Sequence, residues 1–304
     1  MILLTVLSSY LFILHQELGQ GAEGPSQGLE VMRGRAERLR RRCSQLRSEL
    51  RLEWRSLYNN TDINTCTNIF FTLNSQSFQL CNILKGGSLS WKIFFKLNQI
   101  PHKFLADCQP GADCRSGQRR LVQVRHPFER LLSAWRHIFQ AEGFKTLWSV
   151  SAVTEQQLAE EWQKYRNLSW PTFISDLVLG GLKVSNISDY NEPWVWVRHH
   201  WAPAWLTCGV CQEDFPPHYV LKVETLERDI TSIMEGEFGM TGDLVFPKVK
   251  TMGSKDVRGE RENSNKFLSE YFNQLTRDQV MELYEMYKLD FLFFDYKIDK
   301  YTKL

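Results

Sequence analysis

Two apolar runs of strand length each end on a cation and pass straight into a helix, and this repeated turn limits the possible folds more than any other feature. Phe78–Leu84 (FQLCNIL) closes on Lys85, Gly86, Gly87 and Ser88, followed by Trp91–Leu97 with helical character. Leu121–Val124 closes on Arg125; Pro127 then stands where a first helical turn tolerates proline, and Phe128–Phe139 continues the helix. A third run, His218–Val223, leads into Glu224–Met234. Strands alternating with helices predict an α/β fold with a central, mostly parallel sheet covered by helices on both sides. Near the C-terminus, Thr276 and Gln279 have the spacing of a capping box, and Val280, Leu283, Tyr284 and Tyr287 share one apolar face.

These elements place the folded domain at residues 62–304. Ahead of it, residues 1–15 open with MILLTVLSSYLFIL, apolar and uncharged, which predicts a signal peptide or signal anchor. Residues 16–61 read as a stem: a flexible GQGAEGPSQG linker, then an Arg-rich stretch of helical composition. Between Val31 and Arg55 there are nine Arg against three Glu, in a chain whose net charge is only +2. That local surplus reads as a solvated helix face, with anionic polysaccharide or lipid as the alternative partner. The rest of the chain is slightly acidic, which excludes a global basic field and with it a nucleic-acid partner. Asn59, Asn167 and Asn186 are candidate N-glycosylation acceptors by their Asn-X-Ser/Thr triplets, and seven Cys permit disulfides in an oxidising lumen. Cys108 with Cys114, and Cys208 with Cys211, are the local pairings; spacing alone does not fix them.

A strand, a glycine-containing loop and a helix form an anion cradle, because the first N–H groups of the helix and its dipole point at the loop. Gly86 and Gly87 allow close backbone approach, Lys85 brings a point charge, and Ser88 and Ser90 bring hydroxyls. The loop is not a Walker motif: GxxxxGK[ST] is absent, which disfavours a P-loop kinase. In VRHPFERLLSAWRHIF, Arg125 at a strand end has the fork for bidentate phosphate contact. Arg130 lies one helical turn in, and Ser133 lies eight residues after Arg125. His126 and Pro127 shape the turn.

VRHPFERLLSA resembles the 3′-phosphate motif of the Golgi carbohydrate sulfotransferases that modify chondroitin, dermatan and HNK-1-type glycans, and LKGGSLSW resembles their 5′-phosphosulfate loop. The resemblance continues through HHWAPAWLTCGVC, HYVLKVETLERD and YFNQLTRDQVMELYEMYKLDFLFFDY, and so covers most of residues 78–296. It implies a P-loop-NTPase-like sulfotransferase fold and the donor 3′-phosphoadenosine 5′-phosphosulfate (PAPS). A hydroxyl of a glycan or proteoglycan is the implied acceptor, no metal is required, and the implied placement is a single-pass type II Golgi membrane protein. Lys85, Gly87, Ser88, Ser90 and Trp91, with Gly86 and Leu89 in the same loop, are implied to surround the phosphosulfate. Arg125 and Ser133, with Arg130, are implied at the 3′-phosphate.

Leu84 stands where the family has Pro, and Leu89 where it has Thr or Ser. A catalytically weakened glycan- or nucleotide-binding relative is therefore the alternative reading. The general base is open between His200, which lies in a matched block, and His102 or Glu224, and a structural role for His200 stands beside it. Trp194, Trp196, Trp201 and Trp205 suit either an acceptor platform or the core. His199, His200, Cys208 and Cys211 do not have the spacing of a standard zinc site. The acceptor sugar and the oligomeric state are not legible.

Overall fold

The computed structural model describes residues 25–49, 67–74, 76–105, 119–140, 165–180, 197–211, 216–240, 244–246 and 268–299, with a few single positions besides. The strands are β1 (Thr67–Leu73), β2 (Gln76–Asn82), β3 (His102–Leu105), β4 (Arg119–Val124) and β5 (Tyr219–Lys222). The helices are α1 (Pro25–Gln45), α2 (Ser88–Leu97), α3 (Pro127–Trp135, continuing as π-helical Arg136–Gln140) and α4 (Trp170–Thr172, continuing as π-helical Phe173–Leu179). They are followed by α5 (Ala204–Thr207), α6 (Leu226–Gly236) and α7 (Arg277–Phe293).

The sheet order is β3-β1-β2-β4-β5. β2, β4 and β5 run parallel, as the strand-then-helix reading requires, but β1 pairs antiparallel with both β2 and β3. The expected α/β arrangement, a sheet flanked by helices, is present, but the sheet is small and mixed instead of mostly parallel. The cause is local: Leu73 pairs with Gln76, so a two-residue hairpin reverses the chain, and Asn74 holds the left-handed φ of 48° that Asn tolerates.

Alternation along the strands divides the core. Phe78, Leu80, Leu121, Tyr219 and Leu221 pack with α2, α6 and the first half of α1. Cys81, Val122, Val124 and Val220 face the other way, onto α5 and the end of α7. A third cluster joins α3, α4 and α7 around Phe128, Trp170 and Phe272. The capping box of α7 forms as read: Gln279 N donates to Thr276 Oγ1 at 3.2 Å and Thr276 N to Gln279 Oε1 at 2.9 Å.

The Arg-rich segment is helical, but it is not simply a solvated face. Leu29, Met32, Ala36 and Leu39 recur at helical spacing and are buried, each large side chain contributing about 1.5–3 kcal/mol. Gly28 and Gly236 let α1 and α6 approach closely, since a Cβ at either would strike Ser232 or Leu29 respectively. Several arginines pair with acids of the body as well: Arg33 with Glu237, Arg35 with the fully buried Asp229, and Arg38 and Arg42 with Asp295. Four arginines of the run that suggested a polysaccharide or lipid partner thus answer acids of the folded body.

Cys43 is bonded to Cys211 and Cys81 to Cys208, which corrects the local Cys208–Cys211 pairing. Gly209, at φ 52°, turns the chain after α5, so Cys208 faces β2 while Cys211 faces α1. In the loop-closure picture, crosslinks spanning 168 and 127 residues each destabilise the unfolded chain by about 5 kcal/mol. Cys66, Cys108 and Cys114 lie outside the described residues.

The membrane expectations are corrected. No helix among the described residues is long and apolar enough to cross a membrane, and this conflicts with the anchor, the membrane partner and the single-pass Golgi placement. The apolar opening at residues 1–15 lies outside the described residues, as do Asn59 and Asn186, whereas Asn167 is exposed.

Candidate active site

The site residues gather at the C-terminal ends of β2 and β4, the edge of a parallel pair where α/β sheets hold their ligands. After β2 the chain turns through Lys85, Gly86 and Gly87 into α2. Gly86 N donates to Ile83 O at 2.9 Å, and Lys85 occupies the left-handed region at φ 64°, uncommon for a residue with a long side chain. Gly87, at φ 92°, is the residue before α2, and no side chain caps this helix. The outward-pointing N–H groups of the first turn therefore face the loop.

A relay fixes the loop from beneath. Trp91 Nε1 donates to Gln123 Oε1, and Gln123 Nε2 donates to Gly86 O. Trp91 is fully buried among Phe71, Phe94 and Phe95, so its place in the motif is to brace the loop from the core. From the other side Arg130, 1% exposed, donates through Nε to Leu84 O at 3.1 Å and through Nη2 to Ala202 O. Arg130 was expected beside a phosphate; the structure occupies its guanidinium with two main-chain carbonyls and makes it a positioning residue. Its hold on Leu84 O steadies the position where the sequence lacks the family's proline.

Gly87→Ala tests this bracing. An added Cβ runs into Gln123 Nε2, and φ 92° is strained for alanine. The variant is expected to lose about 2–4 kcal/mol of stability, measured by denaturant unfolding.

Above the braced loop sit two cations. Burial, then the Arg125 guanidinium, pull the Lys85 ammonium down to about 8. Arg125 has a buried Nε with no hydrogen-bond partner, and its contact to Glu129 is a loose 3.7 Å. Two mutually repelling cations beside an uncapped helix N-terminus form a site with room for negative charge, and this fits the two anionic groups of PAPS, the phosphosulfate and the 3′-phosphate. Ser133 and Ser90 are half-buried on the helices that follow the two strands, and Leu89 is exposed. The side chain of Ser88 lies outside what is described.

The VRHP turn is held by the end of the chain. His126 N donates to Glu224 Oε1 at 2.8 Å, Tyr296 Oη donates to Glu224 Oε2 at 3.0 Å, and the His126 ring packs among Phe128, Phe291, Tyr296 and Tyr301. Both Glu224 oxygens are engaged in positioning, which counts against this residue as a base. His102 is placed elsewhere: it pairs with Phe71, which pairs with Phe78, several residues down β2 from the loop, and it stacks on Phe95. His200 is brought to the site, but it is 4% exposed with Nδ1 at 3.2 Å from Val197 O. Trp201 and Trp205 are buried in the core, and Trp194 and Trp196 lie outside the described residues. Cys208 and Cys211 are in disulfides, which removes them as zinc ligands.

His137 was missed. Its ring stacks on His200 at 6.2 Å and 18°, its Nδ1 is buried with no hydrogen-bond partner, and burial and the Lys85 charge hold it down at about 4. The available signal was spacing, since residues 130, 133 and 137 share a helix face.

The fold is that of an α/β protein with two cations at the ends of parallel strands, and a sequence model described as Sulfotransferase family matches residues 68–297. The chain belongs to that family. Among curated proteins it is similar to carbohydrate sulfotransferase 11 of Mus musculus, 29% identical over 193 residues, covering 61% of this chain and 49% of that protein. It is similar also to carbohydrate sulfotransferase 9 of Homo sapiens (28% over 185 residues, 58% and 37%) and carbohydrate sulfotransferase 8 of Mus musculus (25% over 182 residues, 58% and 39%). The chain spans about half the length, or less, of these relatives. No solved structure matches.

Proposed function

We propose that this chain transfers a sulfo group from PAPS to a hydroxyl of a glycan, with chondroitin- or dermatan-type N-acetylgalactosamine and HNK-1-type glucuronic acid as the acceptors to try first. The observation that carries the reading is the Lys85–Arg125 pair, two neighbouring cations answered only by the loose Arg125–Glu129 contact at 3.7 Å, with Lys85 on a loop braced by Trp91, Gln123 and Arg130. PAPS supplies an activated sulfur and a phosphate leaving group. Lys85 and the α2 N-terminus hold the phosphosulfate and stabilise the charge that develops on the departing phosphate. Arg125, with Ser133, holds the 3′-phosphate, and the close fit of the loop orients the reacting bond.

The purified chain, given labelled PAPS and a panel of desulfated chondroitin, dermatan and glucuronyl acceptors, is expected to label at least one. Arg125→Ala is expected to weaken binding of 3′-phosphoadenosine 5′-phosphate (PAP) about 100-fold, the loss of a bidentate charge-assisted contact. Unchanged binding removes Arg125 from the site. The exposed Leu89, in place of a hydroxyl, favours one second reading, a relative that binds the donor without transfer. Tight PAP binding with no labelled acceptor supports that reading, and restored transfer in Leu89→Thr explains it.

A further inference from the structure

An acceptor hydroxyl that becomes a sulfate ester must lose its proton, and a positioned base accelerates that loss. Of the bases named from sequence, Glu224 has both oxygens engaged, His102 sits down the sheet, and His200 is buried at 4% exposure behind the half-buried His137. His137 lies one turn beyond Ser133 on the face from which Arg130 reaches Leu84 O, so that face overlies the loop. It stands where the helix widens to a π-turn, a distortion frequent at functional sites.

Resting on the sulfotransferase reading, we propose that His137 takes the proton from the acceptor hydroxyl. As the acceptor oxygen bonds to sulfur, the bond between sulfur and the bridging phosphate oxygen breaks. The electron pair stays on that phosphate oxygen beside Lys85, and the hydroxyl proton passes to the His137 imidazole. The groups that act on the ring are Lys85 from the loop, through its charge, and His200 from the segment before α5, through ring contact, while Arg130 and Ser133 precede it on the same helix face. In the free protein, burial and the Lys85 ammonium keep the ring neutral and ready to accept. Donor charge beside Lys85 offsets that ammonium and raises the ring's proton affinity, so the base strengthens once the donor is in place.

Histidine NMR titration of the whole chain, with and without PAP and with His137→Asn to assign the signal, reads the coupling directly. The His137 midpoint is expected to rise by about one pH unit or more with PAP; a midpoint that stays put while PAP binds overturns the proposal. In transfer assays His137→Asn is expected to lower kcat about 100-fold, keep the donor KM and lose the acidic limb of the pH profile. His200→Asn is expected to keep that limb, and added imidazole to restore turnover to His137→Gly, which a packing role does not explain. An acidic limb that survives in His137→Asn overturns the proposal and leaves the transfer reading standing. If the unaltered chain labels no acceptor, the transfer reading falls, and the titration still decides the response of His137 to the donor.

Discussion

Lys85→Met is expected to cut sulfo transfer about 1,000-fold without destabilising the chain. A cation aimed at a leaving phosphate acts most strongly when the charge is largest, in the transition state, so the loss falls on kcat more than on donor KM. The fold is expected to tolerate the change because methionine keeps the long unbranched stem and Lys85 makes its φ of 64° without glycine's freedom. Removing the ammonium also relieves its repulsion with Arg125, the second cause of its lowered pKa after burial.

The same arrangement gives a pH signature. The ammonium binds anions only while protonated, and in the free protein it loses its proton near pH 8 instead of near 10.5. PAP affinity is therefore full below that pH and declines as pH rises through it, with a proton taken up on binding above it. Lys85→Met is expected to show a flat profile between pH 7 and pH 9. Calorimetric titration of PAP at several pH values checks this; a decline that persists in the variant assigns the titration to another group.

The sequence disclosed the site better than the sheet. Lys85 and Arg125 were legible because a cation closing an apolar run is a local pattern, and the three parallel strands followed from those runs. β1 and β3 were not, because TNIFFTL runs into a hairpin instead of a helix, the reversal at Asn74 rests on two residues, and HKFL is only four residues long. Motif membership also concealed division of labour. Trp91 and Arg130 belong to the motifs, yet one lies in the aromatic core and the other holds carbonyls, a distinction that depends on which side of the loop each approaches. His137 and the disulfide pairing were invisible for a related reason: both join residues that only the packing of α1, α3 and α5 against the sheet brings together.

Asp290 offers the largest expected effect on stability, and it lies outside the loop altogether. Its buried carboxylate accepts the first two N–H groups of α5, from Ala204 at 2.7 Å and Trp205 at 2.8 Å, and lies within the field of Arg130. Asp290→Ala leaves two buried donors without an acceptor and Arg130 without its counter-charge. Removing one partner from a buried pair costs about 3–5 kcal/mol, which for a domain of this size lowers Tm by about 10 °C. Burial outweighs Arg130 and both hydrogen bonds, so the carboxyl is pushed up from 3.8 to about 6. The folded state thus holds this proton more tightly, and the stability it contributes is complete below about pH 4 and lost as pH rises through about 6. The deficit of Asp290→Ala is accordingly expected to be larger at pH 5 than at pH 7, which thermal unfolding at the two pH values measures. An equal deficit at both removes the raised pKa from the account but leaves the cap. Because Arg130 also grips Leu84 O and Ala202 O, the same variant is expected to loosen the donor loop, so PAP affinity falls although Asp290 belongs to neither phosphate motif.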